Sequence, residues 1–168
     1  MKSASRSKYD RNPLGRFRFL KAVLVIIVLL VLAYEFIIGF GTVSGHSMEP
    51  SVPSGSFIVY SRLYKNYARG DIIGVKMPNG ELLVKRIIAL GGDEVDIRDG
   101  EVFVNGESES TAYVHEGTLP KKQSVEYPMT VDADKVFILG DNREASVDSR
   151  TYGLFSTTQI CGKVILIK

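Results

Sequence analysis

Cysteine is nearly missing from this 168-residue chain, with Cys161 the only one. A single thiol cannot close an internal disulfide, and it has no companions for a metal site. In its apolar C-terminal setting it reads as a small buried side chain. Histidine is almost as scarce, limited to His46 and His115. No CxxC, HExxH or Gly-rich phosphate loop occurs, so no metal and no other cofactor is expected. A large net charge is lacking too: at +2, nucleic-acid binding has no global electrostatic support. There is no internal repeat and no long helical pattern outside one N-terminal apolar run.

That run carries the first positive information. Seven basic residues (Lys2, Arg6, Lys8, Arg11, Arg16, Arg18 and Lys21) and one acid, Asp10, precede Ala22. The rest of the chain is therefore net acidic, an asymmetry that points to a membrane or polyanion contact at the basic end. From Ala22 to Tyr34 the residues are wholly apolar, Glu35 interrupts, and Phe36 to Gly41 continue. The stretch is close to the ~20 residues that cross a bilayer. Glu35 lies in its outer third, where a carboxylate costs far less than at the membrane centre. A cleaved signal peptide is the competing reading, and Thr42-Val43-Ser44-Gly45 offers small residues for it. Its apolar core would be shorter, so the expectation is an uncleaved anchor. The basic flank stays in the cytoplasm and Gly41 onward lies outside. The expected layout is a cytoplasmic segment at 1–21, a transmembrane anchor at 22–41 and an extracytoplasmic domain at 42–168.

After Pro50 the pattern becomes that of strands. Phe57-Ile58-Val59-Tyr60 follows the turn signal Pro53-Ser54-Gly55. Asp71 to Met77 and Glu81 to Leu90 flank Pro78-Asn79-Gly80, and Glu94 to Arg98 and Glu101 to Val104 flank Asp99-Gly100, both hairpin signals. Lys135 to Leu139 and Lys163 to Ile167 read as buried strands. Glu107 to Lys122 is polar and irregular and reads as an exposed loop. The expectation is a mainly β, antiparallel domain of a size that supports one core.

Three stretches carry candidate chemistry. Ser47 lies in Gly45-His46-Ser47-Met48-Glu49-Pro50; Gly-x-Ser turns are common, and Glu49 rules out a G-x-S-x-G elbow. His46 is a sequence neighbour whose side chain points the wrong way to be a base, and His115 falls in the irregular stretch, so a Ser-His-Asp triad has no support. Lys85 stands inside the apolar strand Leu82 to Ile88, sharing a face with Leu83 and Ile87, while Arg86 lies on the other. A lysine that cannot reach water loses its charge more readily and becomes available as a general base. Gly140 to Arg150 is a polar loop after an apolar strand; its charges read as either a solvated surface or the brace of a nearby site.

Together these stretches resemble the type I signal peptidases, specifically the short Gram-positive kind with one anchor. The matching residues are Ser47-Met48-x-Pro50, then Val84-Lys85-Arg86 followed by Gly91-Gly92-Asp93, then Gly140-Asp141-Asn142-Arg143 with Ser146 and Asp148-Ser149-Arg150. The resemblance runs from about Thr42 to the C-terminus. It implies a β-rich catalytic core of the signal peptidase and repressor-autoprotease type. It implies Ser47 as nucleophile and Lys85 as general base, with Ser146 orienting the lysine. It implies a structural ion pair of Asp148 with Arg150, and a loop braced by Asp141 and Arg143. Where some members carry an oxyanion-assisting serine two residues before the nucleophile, this chain has Gly45. Backbone N–H groups, including that of Ser47, then become the expected donors.

The activity implied is a membrane-bound serine endopeptidase that cuts signal peptides from exported preproteins after small-x-small sites. Its implied partners are those signal peptides and the lipid bilayer, with no nucleic acid and no metal. Two rivals are a catalytically silent relative serving as an assembly or chaperone-like module for surface or pilus subunits, and a soluble repressor-type autoprotease. The intact serine and lysine oppose the first, and the apolar run opposes the second.

Overall fold

The computed structural model describes residues 13–109, 112, 114, 117–121 and 125–168. The chain divides into two units, Met1–Phe36 and Ile37–Lys168. A long helix, α1, spans Pro13–Ile37. Proline suits the first turn of a helix, where its missing N–H has no partner to lose. At 1.5 Å per residue α1 is about 37 Å long, more than a ~30 Å hydrocarbon layer needs. From Gly15 to Ile37 it is long and apolar enough to cross a membrane.

The helix stops at Ile37, and Ile38–Thr42 form the first strand, β1. The expected anchor at 22–41 therefore reaches into the sheet, because residues 38–41 pair with the next strand instead of continuing the helix. The strands that follow are β2 (Phe57–Ser61), β3 (Ile72–Lys76), β4 (Leu82–Leu90), β5 (Glu94–Arg98) and β6 (Glu101–Val104). Then come β7 (Glu107–Ser108), β8 (Met129–Thr130), β9 (Lys135–Leu139), the short helix α2 (Ser149–Tyr152), β10 (Phe155–Ser156) and β11 (Ile160–Ile167). Every pairing among them is antiparallel. One sheet of seven strands runs β1-β2-β11-β3-β4-β9-β10, and a second of four runs β7-β6-β5-β8. The mainly β, antiparallel expectation is met. The β5–β6 hairpin turns at Asp99 and Gly100, both at positive φ, as a tight turn between right-twisted strands requires.

The nine-residue strand β4 joins the two sheets' cores. Its register against β9 shifts between Ile87 and Ala89. Ile87 packs with Ile73, Val75, Val136 and Ile138, while Ile88 and Ala89 pack with Val95, Ile97, Val102 and Val104 of the second sheet. An inserted residue turns the following side chains to the other face. A third cluster, of Val43, Met48, Val52, Ile58, Tyr60 and Val84, lies under the turn that follows β1. The expected exposed loop at 107–122 is corrected in two places: Glu107–Ser108 pair with β6, and Thr118 is buried. Its hydroxyl accepts a hydrogen bond from Arg143, which an exposed loop would not supply.

Candidate active site

Ser47 opens a helical-type turn in which Glu49 N–H donates to the His46 carbonyl and Val52 N–H to that of Met48. Met48 is fully buried, and Val52 with it. Burying these two apolar side chains contributes roughly 1.5–3 kcal/mol each. That pins the turn to the sheet and leaves Ser47 half-buried above it. Gly45 enters the turn at φ +97° with open space where a side chain would lie. Its need is the left-handed backbone, not the close backbone approach a glycine can also serve.

Lys85 is 3% exposed and sits opposite the buried Ile73 of β3. β9 pairs with β4 only from Arg86 onward, so Lys85 stands where one side of the strand is free of β9. From there its Nζ reaches Ser47 Oγ at 2.9 Å, and the Val84 carbonyl at 3.0 Å. Burial pushes the lysine pKa down, and the carboxylates of Asp148, Glu81 and Asp141 oppose that shift without reversing it. A neutral amine at this distance can accept the hydroxyl proton. Among the described residues Lys85 makes no ion pair with a carboxylate.

The loop after β9 packs against the Ser47 turn. Asn142 N–H donates to the Ser47 carbonyl at 3.1 Å, and Gly140 N–H donates to Asp148 at 3.1 Å. A Cβ on Gly140 would collide with the Ser47 carbonyl and Ser146 Oγ, so only glycine lets the loop approach the turn this closely. Asp148 and Arg150 form a buried ion pair, with Nε–Oδ1 at 2.9 Å and Nη2–Oδ2 at 2.9 Å. Arg143 spans Glu109 at 2.9 Å, Thr118 at 2.6 Å and the Gly140 carbonyl at 3.1 Å. Asp141 takes two hydrogen bonds from Arg86, at 2.8 and 2.6 Å.

Ser146 lies in this loop and Arg86 meets it at Asp141. Among the described residues Ser146 Oγ is buried without a hydrogen-bond partner, beside Gly140, so the orienting role towards Lys85 that the resemblance implies has no hydrogen bond behind it; the Ser146 carbonyl takes Lys121 Nζ at 2.5 Å. Arg86, placed by the sequence on the face opposite Lys85 and given no role there, has one in the structure. It binds Asp141, the Gly70 carbonyl at 2.8 Å and Ser51 Oγ at 3.1 Å, so one guanidinium ties β4, the loop and the Ser47 turn together. The available signal was an arginine inside an apolar strand, which requires a buried counterion. His46 is exposed and bonded to Glu49 rather than to Ser47. His115 lies outside the described residues. Among the described residues no cluster of His, Cys, Asp and Glu could hold a metal.

A half-buried serine hydroxyl on a buried, desolvated lysine, enclosed by a loop of paired charges, is the kind of constellation that performs nucleophilic hydrolysis. The profile of the signal peptidase family, peptidase S26, matches residues 16–168. The chain belongs to that family and is a peptidase. It is 36% identical to signal peptidase I of Bacillus amyloliquefaciens, over 84% of this chain and 82% of that protein. It is 32% identical to signal peptidase I P of Bacillus subtilis subsp. natto, over 92% and 90% of the two chains. A crystal structure of a signal peptidase I from Enterococcus faecalis V583 aligns with a TM-score of 0.47 at 28% identity, covering 60% of this chain and 97% of its own.

Proposed function

We propose that the chain is a membrane-anchored serine endopeptidase that removes signal peptides from exported preproteins, with Ser47 as nucleophile and Lys85 as general base. The observation that carries this reading is the 2.9 Å contact between a buried lysine and the serine hydroxyl. Neutral Lys85 takes the Ser47 proton while Oγ attacks the scissile carbonyl carbon. The carbonyl oxygen becomes an oxyanion that backbone N–H groups, including that of Ser47, are suited to receive. The C–N bond then breaks, and the lysine ammonium gives its proton to the departing amine, which is the mature protein's new N-terminus. The signal peptide stays as an ester on Ser47. Lys85 deprotonates a water, which hydrolyses that ester and restores both groups.

The fold offers a strand edge to which an extended substrate could pair. The stretch Leu82 to Lys85 pairs with β3 and lacks β9 on its other side. An extended peptide laid along this edge leads to Ser47, with main-chain pairing for affinity and small pockets for specificity. Small residues at positions one and three before the cut follow from the family resemblance.

Anchoring rests on α1 and its basic flank, which puts the N-terminus in the cytoplasm and the β domain outside. Within the β domain, Phe40 and Leu166 lie opposite Val59 on neighbouring strands. Phe40, Phe57 and Leu166 are exposed, and the two phenylalanine rings stack at 5.8 Å. Such an apolar row suits a lipid surface better than water.

The test is cleavage of a preprotein with an Ala-x-Ala site by the detergent-solubilised chain, beside Ser47→Ala. The product's N-terminus should follow the second alanine, and Ser47→Ala should leave the preprotein intact. Cleavage by Ser47→Ala at the wild-type rate would sink the assignment, and no cleavage by either protein would favour a non-catalytic assembly role.

A further inference from the structure

We propose that Glu49 and Ser54 are positioning residues that hold the Ser47 turn from its solvent side. This rests on Ser47 being the nucleophile. On the core side the turn is fixed by the buried Met48. On the other side a closed ring of polar contacts surrounds it. Gly45 N–H donates to Ser54 Oγ at 3.2 Å. Ser54 N–H donates to Glu49 Oε1 at 3.3 Å, and the same oxygen meets His46 Nδ1 at 2.8 Å. His46 and Gly45 are joined by the chain, so the ring starts two residues before Ser47 and ends two residues after it.

The loop that supplies Ser54 is itself held to the strand leading into the turn. Gly55 N–H donates to the Val43 carbonyl at 2.8 Å, and Val43 N–H to that of Ser56 at 2.9 Å. Glu49 is the member that closes the ring. Its contacts to His46 and to the Ser54 N–H hold its carboxyl below the usual range.

The energetics separate this role from a merely structural one. His46 and Ser54 are exposed, and polar contacts in water contribute little to folding. The position of a nucleophile is far more sensitive, since displacement by about 1 Å can cost up to about 100-fold in rate. Breaking the ring should therefore spare stability and substrate binding while slowing the acylation step.

The experiment uses the full chain in detergent with the Ala-x-Ala preprotein. It compares wild type with Glu49→Ala, Ser54→Ala, the double variant, Glu49→Gln, Ser54→Thr and Ser47→Ala. Glu49→Ala and Ser54→Ala should each lower kcat about tenfold, with KM and Tm unchanged. The double variant should be no worse than either single one, because the ring opens only once. Glu49→Gln keeps an acceptor oxygen and Ser54→Thr keeps the hydroxyl, so both should recover most of kcat. Wild-type kcat in both alanine variants overturns the proposal, as does a loss confined to KM, a matching fall in Tm, or no recovery by the conservative variants. Ser47→Ala separates the two readings: if it cleaves, the nucleophile assignment falls; if it is inert while Glu49→Ala has full kcat, only the positioning role falls.

Discussion

Lys85 and Arg86 are neighbours on β4, and both are buried, yet their surroundings treat their charges in opposite ways. Arg86 is given a carboxylate in bidentate geometry, a backbone carbonyl and a serine hydroxyl. Lys85 is given a hydroxyl, one carbonyl and, among the described residues, no ion-paired carboxylate. The arginine's charge is met by a carboxylate, while the lysine is pressed towards the free amine. Arg143 and Arg150 follow the arginine pattern, each on a carboxylate. Only a group that can give up its proton is useful as a base, and guanidinium cannot do so in the working range. The alternation of faces along a strand lets both treatments occur one residue apart.

The largest effect should come from exchanging the two treatments. Lys85→Arg places a permanent cation where a base is proposed, so turnover should fall by about 10⁴-fold or to background, as for Ser47→Ala. Wild-type activity should rise with pH through the depressed lysine pKa, since the deprotonated amine is the active form. Turnover of one preprotein across mildly acidic to alkaline pH reads both. Substantial activity in Lys85→Arg would mean that the base lies elsewhere and that the contrast between the two cations has no catalytic meaning.

Next in size is the arginine side. Asp141→Ala leaves Arg86 buried without its carboxylate, and stability should drop by about 3–5 kcal/mol, seen as a lowered denaturant midpoint. Combining Asp141→Leu with Arg86→Met should recover most of that loss, because well-packed apolar pairs replace buried ion pairs at little cost. If Asp141→Ala unfolds at the wild-type midpoint, the pair is not what holds the loop to β4.

The contrast also marks how far the sequence could be read. The β5–β6 hairpin was legible because Asp99-Gly100 can adopt positive φ between two alternating runs. β1 was not, since Ile38 to Gly41 continue the apolar character of the helix without a break, and the strand is defined only by its pairing with β2. Strands of two residues, such as β7, β8 and β10, are too short for any period to register. At the site, Ser47 and Lys85 are 38 residues apart and each is a weak signal alone; a family resemblance joined them, and the structure sets them 2.9 Å apart. Face alternation separated Arg86 from Lys85 correctly, but its partner Asp141 lies 55 residues away, and no local pattern points there. Thr118 was hidden for the same reason: its burial depends on Arg143 reaching across from the loop.

The smallest effect tests the lysine's burial without reference to activity. Folding takes the Lys85 ammonium from water into the buried interior and lowers its pKa below the unfolded value of ~10.4. At pH below the depressed value both states are protonated, and the full cost of burying the charge weighs on the folded state. Between the depressed value and ~10.4 the unfolded chain binds more protons than the folded one, so stability rises with pH in that window. Above it, the amine is neutral in both states and the cost is gone. Asp148, Glu81 and Asp141 offset part of the cost, which keeps the expected effect small. Lys85→Met removes the charge and keeps an unbranched chain of similar length, so it should be more stable than wild type by about 1 kcal/mol at neutral pH. The gap should narrow as pH rises towards 10. Denaturant midpoints of wild type and Lys85→Met across that range give the difference directly. A variant less stable than wild type at neutral pH, or a gap that does not change with pH, would show that Lys85 keeps a well-solvated charge in the folded chain. The contrast with Arg86 would then lie in hydrogen bonding alone.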